Sequence, residues 1–286
     1  MSISPSAATP SIVFSGAGSM AEAIVRGMIN SKVAEPKAIA MLNRSNQERL
    51  AYLSNRYGVL TAQEEEQKQH MISSADIVVL AMKPKDAGSA LKDLSSLLSP
   101  NQLIVSVIAG LSIATIQALL GRKIPIARTM PNTSSMIGLG ATGISFSDEV
   151  TSELREQTMK IFEAIGTVSV IPEDQMEILT GVSGSGPAYI YFLMEAMIEA
   201  GIEGGLTPQQ SRELTVQTVL GAACMMRETG EEPAELRRAI TSPNGSTQAA
   251  LEVLASRGFQ EAAKAAVHRA AARSKEMGAK VEEELK

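Results

Sequence analysis

Between Ser11 and about residue 170, short runs of aliphatic and β-branched residues alternate with amphipathic stretches. The runs fall at 12–14 (Ile-Val-Phe), 39–42 (Ile-Ala-Met-Leu), 77–80 (Ile-Val-Val-Leu), 103–105 (Leu-Ile-Val) and 124–126 (Ile-Pro-Ile). Such alternation predicts βαβ units on a parallel sheet, and runs without polar interruption predict strands covered on both faces. Residues 141–146 and 167–170 read as later strands, separated by a helix over 149–165. Beyond Pro172 the β-branched runs become scarce, and Ala, Met, Leu, Glu and Gln recur at helical spacing. An α/β domain over 1–170 followed by an all-α domain over 171–286 is the expected organisation.

Within the helical half, residues 187–203 are apolar nearly all round (Tyr189, Ile190, Tyr191, Phe192, Leu193, Met194, Met197, Ile198). A helix of that kind does not tolerate solvent, so burial is expected, a second subunit being one way to supply it. A second helix begins at Thr207, where Thr-Pro-Gln-Gln offers an N-cap, Pro at the first helical position and Gln210 three residues after the cap. Further helices are expected over 246–256 and 260–277, the latter dense in Ala and able to approach its neighbours closely.

Composition narrows the partners. The chain has 286 residues, 44% apolar and 20% charged, enough for a sizeable core, so fibrous and disordered classes are excluded. Twenty-six Lys and Arg against 31 Asp and Glu leave a net charge of −5, with no basic field for nucleic acid or an anionic membrane. The longest apolar run, 188–194, is far short of the ~20 residues that span a bilayer. Residues 1–10 are polar, without the basic and apolar regions of a signal peptide, and read as a frayed leader. The single cysteine, Cys224, lies among Ala222, Ala223 and Met225 and reads as an inert core position in a reduced, cytoplasmic protein. With His70 and His268 as the only histidines, no metal site is expected.

The candidate chemistry sits where strands end. Gly16-Ala17-Gly18-Ser19-Met20-Ala21 follows the first strand and opens a helix, the context in which GxGxxA brings backbone amides to a pyrophosphate. A tight strand-to-helix turn without a ligand uses the same residues. After the second strand, where a reader of a ribose 2'-hydroxyl would be acidic, the chain has Asn43-Arg44-Ser45, which favours a 2'-phosphate and hence NADPH, with NADH as the other candidate. Arg44 capping the next helix or facing solvent is the alternative. Ala81-Met82-Lys83-Pro84 and the 106–110 stretch ending in Ala109-Gly110 occupy two further strand ends and can face the cofactor or be ordinary turns. In the helical half, Ser183-Gly184-Ser185-Gly186 and Ser242-Pro243-Asn244-Gly245-Ser246-Thr247 each lead into a helix. Each can receive a carboxylate or be a well-capped turn.

The order of these segments resembles pyrroline-5-carboxylate reductase, essentially end to end. The matching pieces are GAGSMAEAI, AMKP, the 106–110 stretch, MPNT at 130–133, GATG at 140–143, TGVSGSGPAYIY at 180–191, EGGL before Thr207, and SPNGST at 242–247. The resemblance implies a Rossmann-like domain for NAD(P)H and an all-helical dimerisation domain. It also implies a homodimer or an assembly of dimers, a small-molecule substrate, and reduction of 1-pyrroline-5-carboxylate to L-proline. Carried over by position, Gly16, Ala17, Gly18, Ser19, Met20, Asn43, Arg44, Ser45, Ala81, Met82, Lys83, Pro84, Ala109 and Gly110 touch the cofactor. Gly245, Ser246 and Thr247 receive the substrate carboxylate, with Ser183, Gly184 and Ser185 alongside and the Thr247 hydroxyl, the one catalytic candidate, near the ring nitrogen.

The chain departs from the family pattern at Ser134 (commonly Pro), Leu139 (commonly acidic) and Asn244 (commonly Gly), and an Asn is missing from the 63–68 region. Asn tolerates a left-handed backbone less freely than Gly. Two other readings stay open: a dinucleotide-binding relative that serves as a regulatory or structural dimer, and a β-hydroxyacid dehydrogenase. Against the second stands the lack of a convincing lysine in the helical half, since an alcohol needs a proton acceptor.

Overall fold

The computed structural model describes residues 10–284. The leader expected over 1–10 therefore lies, Pro10 apart, outside the described residues. The chain divides into two compact units, one running to Gly184 and taking in the stretch from Ala270 on, the other Ser185–Arg269.

The first unit is built on one eight-stranded sheet of order β3-β2-β1-β4-β5-β6-β7-β8. Its strands are β1 (Ile12–Ser15), β2 (Ile39–Leu42), β3 (Leu60–Thr61), β4 (Ile77–Leu80), β5 (Leu103–Ser106), β6 (Ile126–Met130), β7 (Gly140–Phe146) and β8 (Gly166–Val170). Its helices are α1 (Ser19–Asn30), α2 (Gln47–Tyr57), α3 (Glu65–Ser74), α4 (Pro84–Ser95), α5 (Ile113–Leu120), α6 (Ser152–Glu163) and the short α7 (Met176–Leu179).

Every residue of β2, β4 and β5 is buried, as continuous apolar runs require. The pleat sends alternate residues to two cores: Ile12, Phe14, Ile77 and Val79 pack with Ile24, Val25 and Phe162 on one side. Val13, Val78, Leu80 and Ile104 pack with Leu91, Leu94 and Ile116 on the other. Local signals set the helix ends. The Asn46 side chain accepts from the Arg49 amide to cap α2, Ser112 does the same for α5 through Thr115, and Gly58 and Gly121 close those helices with φ of 72° and 67°.

Several expectations are corrected. The sheet is mixed, because β7 runs antiparallel to β6, with Thr129 opposite Ile144. The strand expected over 124–126 begins at Ile126, since Pro125 has no N–H and contributes its carbonyl, to the Ile104 amide, at 2.9 Å. The helix expected over 149–165 is Ser152–Glu163. By packing, the sheet unit runs on past the expected change at 170 as far as Gly184. Residues 171–184 stay with the sheet because buried Arg128 on β6 holds Glu173 at 3.1 Å and Glu177 at 2.7 Å.

In the second unit α8 (Gly186–Glu203), α9 (Pro208–Thr229), α10 (Pro233–Ala239) and α11 (Ser246–Ser256) follow in turn, with α12 (Phe259–Glu284) extending past Arg269. The expected capping box of α9 forms between Thr207 and Gln210. The last helix is longer than the expected 260–277, and α10 was not foreseen. Burial of the 187–203 helix is not met within one chain: Ile190, Tyr191 and Phe192 are 44%, 58% and 77% exposed. Cys224 is only half-buried, so it is not a core position of the isolated chain.

Candidate functional site

Strand β1 has β2 on one side and β4 on the other, and the connections leave it in opposite directions, which opens a crevice at the C-terminal ends of these strands. A cleft of about 620 Å³ lies there, and Gly16, Ala17, Gly18, Asn43, Arg44, Ser45, Ala81, Met82 and Lys83 all line it. Ser19 and Met20 start α1 and Pro84 starts α4 beside it, but none of the three lines it.

The main chain fixes the base of this cleft. The Gly16 amide donates to the Leu42 carbonyl at 3.0 Å, and the Ala81 amide donates to the Ser15 carbonyl at 2.9 Å. Gly16 has φ of +118°, and a β-carbon there would collide with the Ala81 carbonyl, so only glycine fits. At Gly18 the reason is different. Nothing lies within 4 Å of where its β-carbon would be, and α1 begins there without a side-chain cap, leaving the first N–H groups open toward the cleft. A dinucleotide pyrophosphate fits both observations.

The β2–α2 loop is held by Asn43, whose Oδ1 accepts from the amides of Ser45 at 3.0 Å and Asn46 at 2.9 Å. That Asx turn leaves the exposed Arg44 guanidinium with no protein partner among the described residues, so it does not cap α2; Asn46 does. Lys83 is exposed on the rim and supplies the N-cap backbone of α4.

Sequence reasoning missed a cluster that braces the glycine turn. Arg49 Nε donates to the Ala17 carbonyl at 2.9 Å, while its Nη2 reaches Glu22 Oε2 at 2.5 Å and the Tyr57 hydroxyl donates to Glu22 Oε1 at 2.8 Å. Burial works to raise the Glu22 carboxyl, but the hydrogen bonds from Arg49 and Tyr57 and the charges of Arg49 and Arg26 outweigh it and hold the group below its ordinary value. No local pattern in the sequence marks this cluster, because Glu22 lies on α1 and its partners Arg49 and Tyr57 lie 27 and 35 residues further on, on α2.

Ala109 and Gly110 are not among the residues that line this cleft. Gly110 has φ of +77°, and a β-carbon there would stand 3.0 Å from the Gly278 amide nitrogen of α12, so close packing explains the glycine.

On the sheet unit's other flank, Thr180–Gly184 forms one π-helical turn directly after α7, not the loop expected from SGSG. Such turns recur at functional sites. The Ser183 hydroxyl donates to the Leu179 carbonyl at 3.1 Å. Its own carbonyl accepts from Asn132 Nδ2 at 3.0 Å, and Asn132 Oδ1 accepts from the Ala141 amide at 3.2 Å. The MPNT and GATG segments thereby meet on this turn. Gly184 lies against Met130 Cε, and Ser185 begins the second unit as the N-cap of α8, without a side-chain bond.

In the second unit Asn244 does adopt the left-handed conformation, with φ of +57°, and its amide donates to Gln248 Oε1 at 2.8 Å. Gly245 is the N-cap of α11 and makes no side-chain cap, so the amides of Ser246, Thr247 and Gln248 have no acceptor within the helix. The Thr247 hydroxyl has no hydrogen-bond partner among the described residues.

Comparison with known proteins accords with this arrangement. Residues 11–110 match a family described as NADP oxidoreductase coenzyme F420-dependent, and residues 173–277 match pyrroline-5-carboxylate reductase dimerisation. Pyrroline-5-carboxylate reductase 1 of Bacillus spizizenii is 46% identical over 271 residues, covering 95% of this chain and 90% of that protein. A solved pyrroline-5-carboxylate reductase from Coxiella burnetii superposes with a TM-score of 0.87 at 38% identity, over 94% of this chain and 98% of that one. The NADP-bound enzyme from Plasmodium falciparum gives 0.84 at 29% identity, over 94% and 98%. A Rossmann-like sheet unit, a helical unit and 46% identity along 95% of its length place this chain in the pyrroline-5-carboxylate reductase family.

Proposed function

We infer that this chain reduces 1-pyrroline-5-carboxylate to L-proline, the last step of proline synthesis. The observation that carries this is the family match along 95% of the chain, joined to a dinucleotide cleft at the switch point of the sheet. Bound NADPH supplies the hydride. The open amides beyond Gly18 suit the pyrophosphate, and the unpartnered Arg44 with Ser45 suits the 2'-phosphate. Asn43, Ala81, Met82 and Lys83 complete the cofactor walls.

For the substrate, the free amides of Ser246 and Thr247 after Gly245 are a receptor for the carboxylate, and the Thr247 hydroxyl is free to meet the ring nitrogen. Ser183, Gly184 and Ser185 are assigned to the substrate on the family pattern. A protonated cyclic imine already carries the charge that draws hydride: the hydride adds to carbon and the π electrons settle on nitrogen. The site then needs orientation more than a strong acid, and two histidines outside it are no handicap.

The exposed apolar residues of α8 and α9, including Phe192, Leu214 and Met225, support a homodimer through the helical unit. Among the described residues no helix is long and apolar enough to cross a membrane, and a cytoplasmic site of action is our reading. The scaffold and β-hydroxyacid dehydrogenase readings are not favoured by the relatives.

The test is NADPH oxidation across a panel of cyclic imines and 3-hydroxy acids, with light scattering on the same sample. Turnover of 1-pyrroline-5-carboxylate and a mass at least twice 30.2 kDa are expected. Binding of NADPH without its oxidation when the imine is added would return the protein to a scaffold role.

A further inference from the structure

Helix α3 sends Lys68 and Ile72 into the dinucleotide cleft, four residues apart and so on one helical face. Ile72 is buried in the core shared with Leu91 and Leu94 of α4, which anchors that face against the sheet. The Lys68 side chain is only 16% exposed. Its recorded partner is Glu65 Oε2 at 3.4 Å, on a carboxylate whose own side chain is 72% exposed. The stem is covered, and an ammonium has three donors, so one long bond leaves it free to take a further anion. Glu65, one turn back on the same helix, also lines the cleft but is largely hydrated and holds the ammonium only weakly. Arg44 and Ser45 line the same cleft, and the Arg44 guanidinium also lacks a partner among the described residues.

We propose that Lys68 is a specificity-determining residue, the second cation for the 2'-phosphate of NADPH, acting with Arg44. The proposal rests on the NADPH reading above. A phosphate monoester carries between one and two negative charges at neutral pH and has three acceptor oxygens, more than one guanidinium satisfies. A planar guanidinium grips two oxygens from one side, whereas an ammonium on a flexible stem is a point charge suited to the remaining one. The pyrophosphate is already served by the glycine turn and the start of α1, and the exposed Lys83 and Lys85, which also line the cleft, belong to the start of α4 and not to the α3 face that carries Lys68. Nothing in the pattern of the 63–68 region, Gln-Glu-Glu-Glu-Gln-Lys, marks this lysine out, because its role depends on the fold.

The experiment measures dissociation constants of NADPH, NADH, 2',5'-ADP and 5'-AMP for the full-length protein and its Lys68→Gln, Arg44→Ala and double variants. Lys68→Gln should weaken NADPH and 2',5'-ADP by about tenfold while NADH and 5'-AMP stay within about twofold, and the double variant should lose nearly all preference. The NADPH loss should shrink as salt rises, since screening lowers the wild-type advantage. Equal weakening of NADPH and NADH, or no change in either, overturns the proposal. Retained NADH binding doubles as the control for folding. If the wild type itself binds NADH better than NADPH, the NADPH reading fails, and the four ligands tell that failure apart from a failure at Lys68.

Discussion

Thr247→Ala separates catalysis from helix capping at one atom. Were the hydroxyl a cap, its loss would destabilise the protein by about 0.5–2 kcal/mol. Gly245 is the N-cap, however, and Thr247 is the second residue of α11, with no hydroxyl partner among the described residues. Thr→Ala inside a helix is favourable by about 0.5 kcal/mol. The melting temperature should therefore hold or rise by about 1–2 °C, given that ~1 kcal/mol moves it about 2–4 °C at this size. A hydroxyl that bonds a charged iminium or the forming amine contributes about 1.5–3 kcal/mol, and kcat/KM for the imine should fall about 10- to 150-fold. NADPH affinity, measured by fluorescence titration, should not move. If kcat/KM stays within about twofold, Thr247 leaves the site; if the melting temperature drops by several degrees, the hydroxyl has a structural partner and the kinetic loss loses its meaning.

Gly16→Ala should cost at least about 2 kcal/mol in denaturant unfolding, since φ of +118° excludes a β-carbon and the Ala81 carbonyl occupies its place; a variant as stable as the parent would refute the reading. Asn132→Asp keeps an acceptor for the Ala141 amide but faces the Ser183 carbonyl with a second acceptor, so KM for the imine should rise about tenfold with NADPH affinity intact. An unchanged KM would mean the π turn does not depend on that bond. Glu22 is held below its ordinary value of 4.5, so the native state gives up stability as pH falls through the lowered value while the unfolded chain has already taken up its proton. Glu22→Gln should flatten the fall of melting temperature below about pH 5, and an unaltered acid limb would show that other carboxylates set it.

The buried strands were legible because coverage on both faces writes itself as unbroken Val, Ile and Leu, and the capped helices because Thr207 and Gln210 satisfy each other within four residues. Two residues of β3 and seven of α10 are too few to show a period. The reversal at β7 is invisible locally, since antiparallel and parallel strands buried on both faces share one pattern. Gly110 is ambiguous for a related reason: a left-handed glycine at a strand end looks the same whether a ligand or a distant Gly278 approaches it. The bond from Asn132 to Ser183 and the bracing of Ala17 by Arg49 join segments far apart in the chain, and Lys68 became visible only when α3 and the Arg44 loop met in one cleft. The burial expected of the apolar 187–203 helix is not provided by the isolated chain, because a pattern of apolar residues says that a helix needs cover and not what covers it.

The base of the cofactor cleft is main chain locked to main chain: Gly16 to Leu42, Ala81 to Ser15, and Gly16 against the Ala81 carbonyl with no room for a side chain. Arg44, Ser45 and Lys68, by contrast, meet the cleft through side chains carried on a loop and a helix face. The two jobs therefore lie on separate parts of the chain's heredity. On the proposed reading, substitutions at 44, 45 and 68 retune which dinucleotide is preferred while the cradle stays intact, so a lineage is free to drift between cofactors in single steps. Change at 16 has no such gradual route, because a β-carbon there must displace the Ala81 carbonyl.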